Sequence, residues 1–167
     1  MMETLSDRLL LRPYNNHDLD FLESLLTNPN IVRYIGNGQI RDQEGIQKFL
    51  NWIIDTYAIN PNYGLKLILE KESNNRIGHA GLVPQLIDGK KEIEIGYWIS
   101  QEYWGRGFAT EAARGVMEYG KNKLKLEKMI ALIQKDNTAS QKVAQKIGMR
   151  IEKELLLNGK DVFVYYC

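Results

Sequence analysis

Residues 104–115 read WGRGFATEAARG: two glycines around Arg106 run directly into an alanine-rich segment with helical spacing. Glycine accepts positive φ and, lacking a Cβ, lets a ligand approach the backbone closely. Just before it, EIEIGYWI (92–99) alternates as a strand does and leads through SQEY into the loop. The unpaired N–H groups of Gly105 to Ala109 would then point into one loop beside the positive end of a helix. That arrangement cradles phosphate, although an ordinary tight turn before a helix has the same local composition. A single contact of this kind contributes only about 0.3–1 kcal/mol, so a diphosphate needs several N–H donors together with Arg106. The other nucleotide cradles fail: no GxxxxGK[ST] is present, and GxGxxG is broken by Thr110 with no parallel βαβ unit around it.

Downstream of the loop, Ala109, Ala112, Ala113, Val116, Met117 and Leu124 recur at three-and-four spacing and predict a helix packed on a sheet. MIALIQ (129–134) reads as a buried strand. TASQKVAQKIG (138–148) reads as a helix stopped by Gly148, and ELLL-NGKD-VFVYY as a terminal hairpin. Upstream, LKLILE, RIGHAGLV and EIEIGYWI are strands joined through SNN and DGK, which suit antiparallel hairpins. RLLLRP (8–13) is a short strand, and HDLDFLESLL (17–26) an amphipathic helix ended by Asn28-Pro29. After the loop GNGQIRDQEG, a helix over roughly Asp42 to Tyr57 shows Ile46, Phe49, Leu50 and Ile53 on one face. No repeat or linker interrupts this order, so we expect one α+β domain over 1–167 with a mostly antiparallel sheet.

Composition narrows the function. With 167 residues, 44% of them hydrophobic, the chain can bury one sizeable core. Lys and Arg number 22 against 21 acidic residues, so no overall field draws it to nucleic acid or to an anionic membrane. The single cysteine, Cys167, excludes an internal disulfide framework and a cysteine-based zinc cluster. His17 and His79 are too far apart in sequence to form a helical metal pair, so no metal is expected. The first residues lack a long apolar stretch and no segment is long enough to span a bilayer, which predicts a cytoplasmic protein.

The segments EIGYWISQEYWGRGFATEAARGVMEYG and DNTASQKVAQKIGM closely resemble the GNAT acyltransferase superfamily, in particular its branch of RimJ/RimL-type ribosomal-protein N-acetyltransferases. The opening LSDRLLLRPYNNHDLDFLESLLTNPNIVRYIG resembles the start of the same branch, so the likeness spans essentially the whole chain. The resemblance implies helices on both faces of a mixed sheet splayed between the strand Glu94–Ile99 and MIALIQ, with acetyl-CoA lying in the gap. It implies that Trp104, Gly105, Arg106, Gly107, Phe108, Ala109 and Thr110 bind the pyrophosphate. It further implies that the backbone of the strand carrying Tyr97, Trp98 and Ile99 pairs with the pantetheine arm. One departure stands out: where the superfamily motif has Gln or Arg, three residues before the first glycine, this chain has Glu102.

Acetyl transfer from a thioester to an amine requires a neutral amine, stabilisation of the developing oxyanion and tolerance of the departing thiolate. Glu94, in an otherwise apolar strand and on the same face as Glu92, Gly96 and Trp98, is the candidate base, acting directly or through water. A salt-bridged or solvated strand carboxylate fits the sequence equally well; Glu92, nearer the turn, is expected to be exposed. Asn137 is a good N-cap for the following helix, and Ser140 lies in its first turn. The resemblance implies that Asn137 contacts the coenzyme and that Ser140 hydrogen-bonds the thiol sulfur, although simple capping accounts for both. The tyrosine that many members use as general acid is replaced here by Ala144.

The remaining features have plainer readings. KNKLKLEK is expected to be a solvated face, Lys142 and Lys146 surface groups within reach of a phosphate, and His79 a hydrogen-bonded histidine of the core or the site lining. Tyr34, Trp52 and Tyr57 belong either to an acceptor pocket or to the core. No residue resembles an acyl-carrying nucleophile, so the expected reaction is direct transfer from acetyl-CoA to an amine, a peptide N-terminus or a small molecule. The competing reading is a non-catalytic acyl-CoA-binding sensor or an inactive relative with an intact cofactor loop. Protein N-terminal amines, with pKa values of about 7.7–8.0, are expected to be preferred over lysine side chains at about 10.4.

Overall fold

In the computed structural model, which describes residues 2–167, one sheet of eight strands organises the chain. The strands are β1 (Glu3–Thr4), β2 (Leu9–Pro13), β3 (Gly64–Glu70), β4 (Arg76–Ile87), β5 (Lys90–Ile99), β6 (Ile130–Gln134), β7 (Arg150–Leu157) and β8 (Lys160–Tyr166). Their spatial order is β1-β2-β3-β4-β5-β6-β8-β7. Five helices accompany them: α1 (Leu19–Leu26), α2 (Pro29–Val32), α3 (Gln43–Ile59), α4 (Phe108–Asn122) and α5 (Thr138–Lys146). Every strand pair is antiparallel except β5 and β6, which are parallel because α4 carries the chain back between them.

Strand alternation builds a core on each face of the sheet. Ile68, Ala80, Leu82, Ile95 and Ala131 pack with Ala112, Ala113, Val116 and Met117 of α4 and Ala144 of α5. Leu65, Leu67 and Val83 point the other way and meet Leu22 and Leu25 of α1 and Ile46, Leu50 and Ile53 of α3. The hairpin signals are realised through left-handed residues at Asp88-Gly89 and Asn158-Gly159, as tight antiparallel turns require.

Two elements are not expected from the sequence, and one expectation needs correction. Asn28-Pro29 ends α1 but also opens α2: the Asn28 side chain accepts from the Asn30 N–H, with proline at the first helical position. Strand β1 lacks any strong alternation in the sequence and forms only as a partner for β2. Glu92 is not an open surface residue, since its side chain is 15% exposed and lies 3.2 Å from Lys128 Nζ.

Between β5 and β6 the ladder holds at a single bridge, Glu94 opposite Ile130. Beyond it β5 continues to Ile99 while β6 diverges, and the sheet is splayed there. The halves are tied across the gap by the chain after α1: Asn28 and Asn30 side chains donate to Gln101 Oε1, and Gln134 Nε2 donates to the Gly36 carbonyl.

Candidate active site

A cleft of about 580 Å³ opens into the splay. One wall is β5 from Glu94 to Ile99, the opposite wall is β6 from Ala131 to Ile133, and the floor is the start of α4 and α5. The segment from α2 to Ile35 closes it from above, contributing Asn30, Arg33 and Tyr34.

At one end of the cleft lies the glycine loop. Gly105 and Gly107 have φ of 77° and 80°, a left-handed conformation that a β-carbon disfavours, and space beside Gly105 is open to at least 4 Å. Asp42 and Asn137 cap α3 and α5 with their side chains, but no side chain caps α4. Its first amide to find a carbonyl is that of Glu111, which donates to Gly107. The N–H groups of Phe108, Ala109 and Thr110 therefore remain free for an anion. Trp104, Gly105, Gly107, Phe108, Ala109 and Thr110 all line the cleft. Arg106 does not: its guanidinium lies over the Tyr103 ring, 5.3 Å from the centroid.

Glu94 sits at the other end, where the ladder parts. Its Oε1 accepts from Gln85 Nε2 at 2.9 Å and its Oε2 from the Leu132 N–H at 3.4 Å. The carboxylate thus takes a β6 amide that a continuing ladder would have bonded to backbone. Burial pushes its pKa above the ordinary glutamate value, although the hydrogen bonds from Gln85 and Leu132 oppose this. Alternation puts Tyr97 on the opposite face, where its hydroxyl lies 2.8 Å from Ser140 Oγ and donates to the Ser140 carbonyl at 3.1 Å. Burial raises the Tyr97 phenol to about 12, with the Ser140 hydrogen bond pulling down and the Glu94 charge pushing up. Asn137 Oδ1 accepts from the Ser140 N–H at 3.2 Å, fixing the first turn of α5 against the cleft. Trp98 also lines the cleft, on the Glu94 face of β5, and its ring packs on His79 and Phe49, at 4.5 Å and 5.6 Å between centroids. Ile99 contributes a carbonyl that accepts from the Trp104 indole at 2.7 Å.

The structure therefore brings Glu94, Tyr97, Ser140, Asn137 and the glycine loop to one cleft and leaves Arg106 outside it. The contact between the Tyr97 hydroxyl and Ser140 is not legible in the sequence, and the α2 lining is not among the expectations above. For α2 a signal exists, because Asn-Pro is as good a helix start as a helix stop. His79 is a core residue: Nδ1 lies 2.7 Å from the Tyr14 hydroxyl, and burial alone drops its pKa to about 3. Tyr57 also serves structure, accepting from the Tyr14 N–H and donating to the Leu65 carbonyl. Tyr34 and Lys146 line the cleft, whereas Trp52 is 44% exposed beside Phe49. Among the described residues no group of His, Cys, Asp or Glu is disposed to hold a metal ion, and no helix is long and apolar enough to cross a membrane.

Residues 8–150 match the acetyltransferase (GNAT) domain family. The chain belongs to that family. The uncharacterized protein YkkB of Bacillus subtilis (strain 168) is 35% identical over 164 residues, covering 96% of this chain and 92% of YkkB. The spermidine N(1)-acetyltransferase of Escherichia coli (strain K12) is 29% identical over 150 residues, covering 87% of this chain and 75% of that enzyme. In fold, the chain superposes on RimL, a ribosomal L7/L12 alpha-N-protein acetyltransferase in complex with coenzyme A. The TM-score is 0.81 at 21% identity, over 100% of this chain and 97% of RimL. GNAT acetyltransferases use acetyl-CoA and an amine acceptor, and this GNAT chain is an N-acetyltransferase.

Proposed function

We propose that this GNAT chain, of the RimJ/RimL-like type, transfers acetyl groups directly from acetyl-CoA to α-amines at peptide N-termini, with Glu94 as the base. The observation that carries this reading is the position of Glu94 at the single β5–β6 bridge, at the inner end of a cleft whose other end is an uncapped helix. Acetyl-CoA supplies an activated acetyl thioester. The free amides from Gly105 to Thr110 hold its diphosphate, with Trp104 beside them, and the β5 backbone from Tyr97 to Ile99 aligns its arm. Arg106, above Tyr103, contributes charge from outside the cleft.

The two faces of β5 divide the proton chemistry. Glu94, on the α3 face, takes a proton from the amine as it becomes positively charged. Ser140, held by Tyr97 and Asn137 on the α5 face, offers its hydroxyl to the departing sulfur. A cysteine-like thiol of pKa about 8.5 leaves without full protonation, so a hydrogen bond from Ser140 suffices where Ala144 leaves no phenol.

The charges around Glu94 support an N-terminus over a polyamine. A polyamine brings further ammonium groups that need unpaired carboxylates. Among the described residues that line the cleft, Glu94 is the one carboxylate, and the other charged side chains there, Arg33 and Lys146, are basic. Among amines in peptides, the α-amine at about 7.7–8.0 is appreciably neutral at pH 7, and a lysine at about 10.4 is not. The test offers one peptide bearing a free N-terminus and an internal lysine, in competition with spermidine, and locates the acetyl group by mass spectrometry. Predominant N-terminal acetylation is expected; predominant lysine or spermidine acetylation would overturn the acceptor assignment.

A further inference from the structure

An acidic residue stands where the coenzyme reading requires an anion. Glu111 is in the first turn of α4, the helix whose free N-terminus faces the cleft. A carboxylate there steadies the helix dipole, but it also competes with a bound phosphate for the same positive end. Arg8, immediately before β2 and distant in sequence, lies against it. Its Nε donates to Glu111 Oε2 at 2.7 Å, and its backbone N–H donates to Oε1 at 3.1 Å. Ser6 Oγ donates to the same Oε1 at 2.6 Å. The guanidinium also stacks on Phe108, 4.2 Å from the ring centroid, and donates to the Arg106 carbonyl at 3.1 Å. A Cβ on Gly107 would lie 3.7 Å from Arg8 Nη2, so the cation touches the loop itself.

We propose that Arg8 is a positioning residue for the coenzyme: it neutralises Glu111 and holds the Arg106–Phe108 turn, so that the α4 N-terminus presents a net positive end to the diphosphate. This rests on the coenzyme reading above. The local geometry explains why a carboxylate is tolerated in a phosphate cradle. Burial of Glu111 alone would favour its protonated form, but the Ser6 and Arg8 hydrogen bonds keep it charged, and Arg8 is the group that offsets that charge. A purely structural clasp and a charge mask differ in one respect. If charge matters, the harm of losing Arg8 depends on Glu111 still being ionised.

The experiment is calorimetric titration of coenzyme A into five forms of the protein: unsubstituted, Arg8→Gln, Arg8→Lys, Glu111→Gln and the double variant of Arg8→Gln with Glu111→Gln. Thermal melts of the unliganded proteins report folding. We expect Arg8→Gln to weaken binding about tenfold, Glu111→Gln to stay within about threefold of the unsubstituted protein, and the double variant to regain most of the loss. Arg8→Lys, which keeps the charge and loses the planar stack, should bind within about threefold as well. A double variant no tighter than Arg8→Gln, or Glu111→Gln as weak as Arg8→Gln, would overturn the charge role. Failure of the unsubstituted protein to bind coenzyme A would instead remove the coenzyme reading, and this inference with it.

Discussion

Glu94 carries opposing demands that can be measured separately. As a base it must be ionised, so kcat/KM should rise with pH through a value above the ordinary glutamate range, followed by the limb belonging to the amine. Glu94→Gln should remove the first limb and lower kcat by about 10²–10⁴ while leaving coenzyme affinity nearly intact. Unchanged turnover at saturating acceptor would return Glu94 to a purely structural role. Stability has the opposite sign. Burial raises the folded-state pKa above the unfolded value, so the protonated group favours folding at low pH and that contribution is lost as pH rises through the folded value. At pH 8 the ionised, enclosed carboxylate therefore opposes folding, and Glu94→Gln should melt higher than the unsubstituted protein. Below the unfolded glutamate value of about 4.3 the difference should vanish. A variant that melts lower at pH 8 would mean that the Gln85 and Leu132 hydrogen bonds outweigh burial.

At the scale of elements, the loop before α4 makes the sharpest separation between folding and binding. Gly105 is left-handed with nothing within 4 Å of a built Cβ, so the Cβ of Gly105→Val has room and the substitution costs mainly the backbone penalty, at least about 1–2 kcal/mol. On the cradle reading, the added side chain keeps the diphosphate from approaching the loop backbone. Coenzyme affinity should fall at least about tenfold, far beyond the modest drop in melting temperature, as read by calorimetry and thermal melts on one sample. Equal affinity would show that the loop is a turn and not a cradle. This loop was legible in the sequence because its signals are local: glycine for positive φ, then the alanine periodicity of α4. The hairpins at Asp88-Gly89 and Asn158-Gly159 were legible for the same reason. What escaped depends on partners remote in the chain. Glu92 looks exposed until Lys128 arrives from before β6, and Ser140 looks like a capping residue until Tyr97 reaches it through the splay. The position of the Arg106 guanidinium, over the ring of Tyr103 at the edge of the cleft, likewise comes only from the fold.

For the whole molecule, the decisive feature is a sheet held at its centre by one bridge, Glu94 to Ile130, with α1–α3 on one face and α4 and α5 against the other. On the coenzyme reading proposed above, the arm of acetyl-CoA lies in that gap, alongside β5 in the place of the missing ladder. Bound acetyl-CoA should therefore act on both sides of the cleft at once and stabilise the fold by about 2.7 kcal/mol at a hundredfold excess over its Kd. Amide hydrogen exchange with and without acetyl-CoA reads this residue by residue. New protection is expected in two separated stretches, residues 95–99 of β5 and residues 105–110 at the start of α4, with the β7–β8 hairpin unchanged. Protection confined to the smaller cavity of about 220 Å³ between β1–β3 and α4, or absent from either predicted stretch, would contradict it.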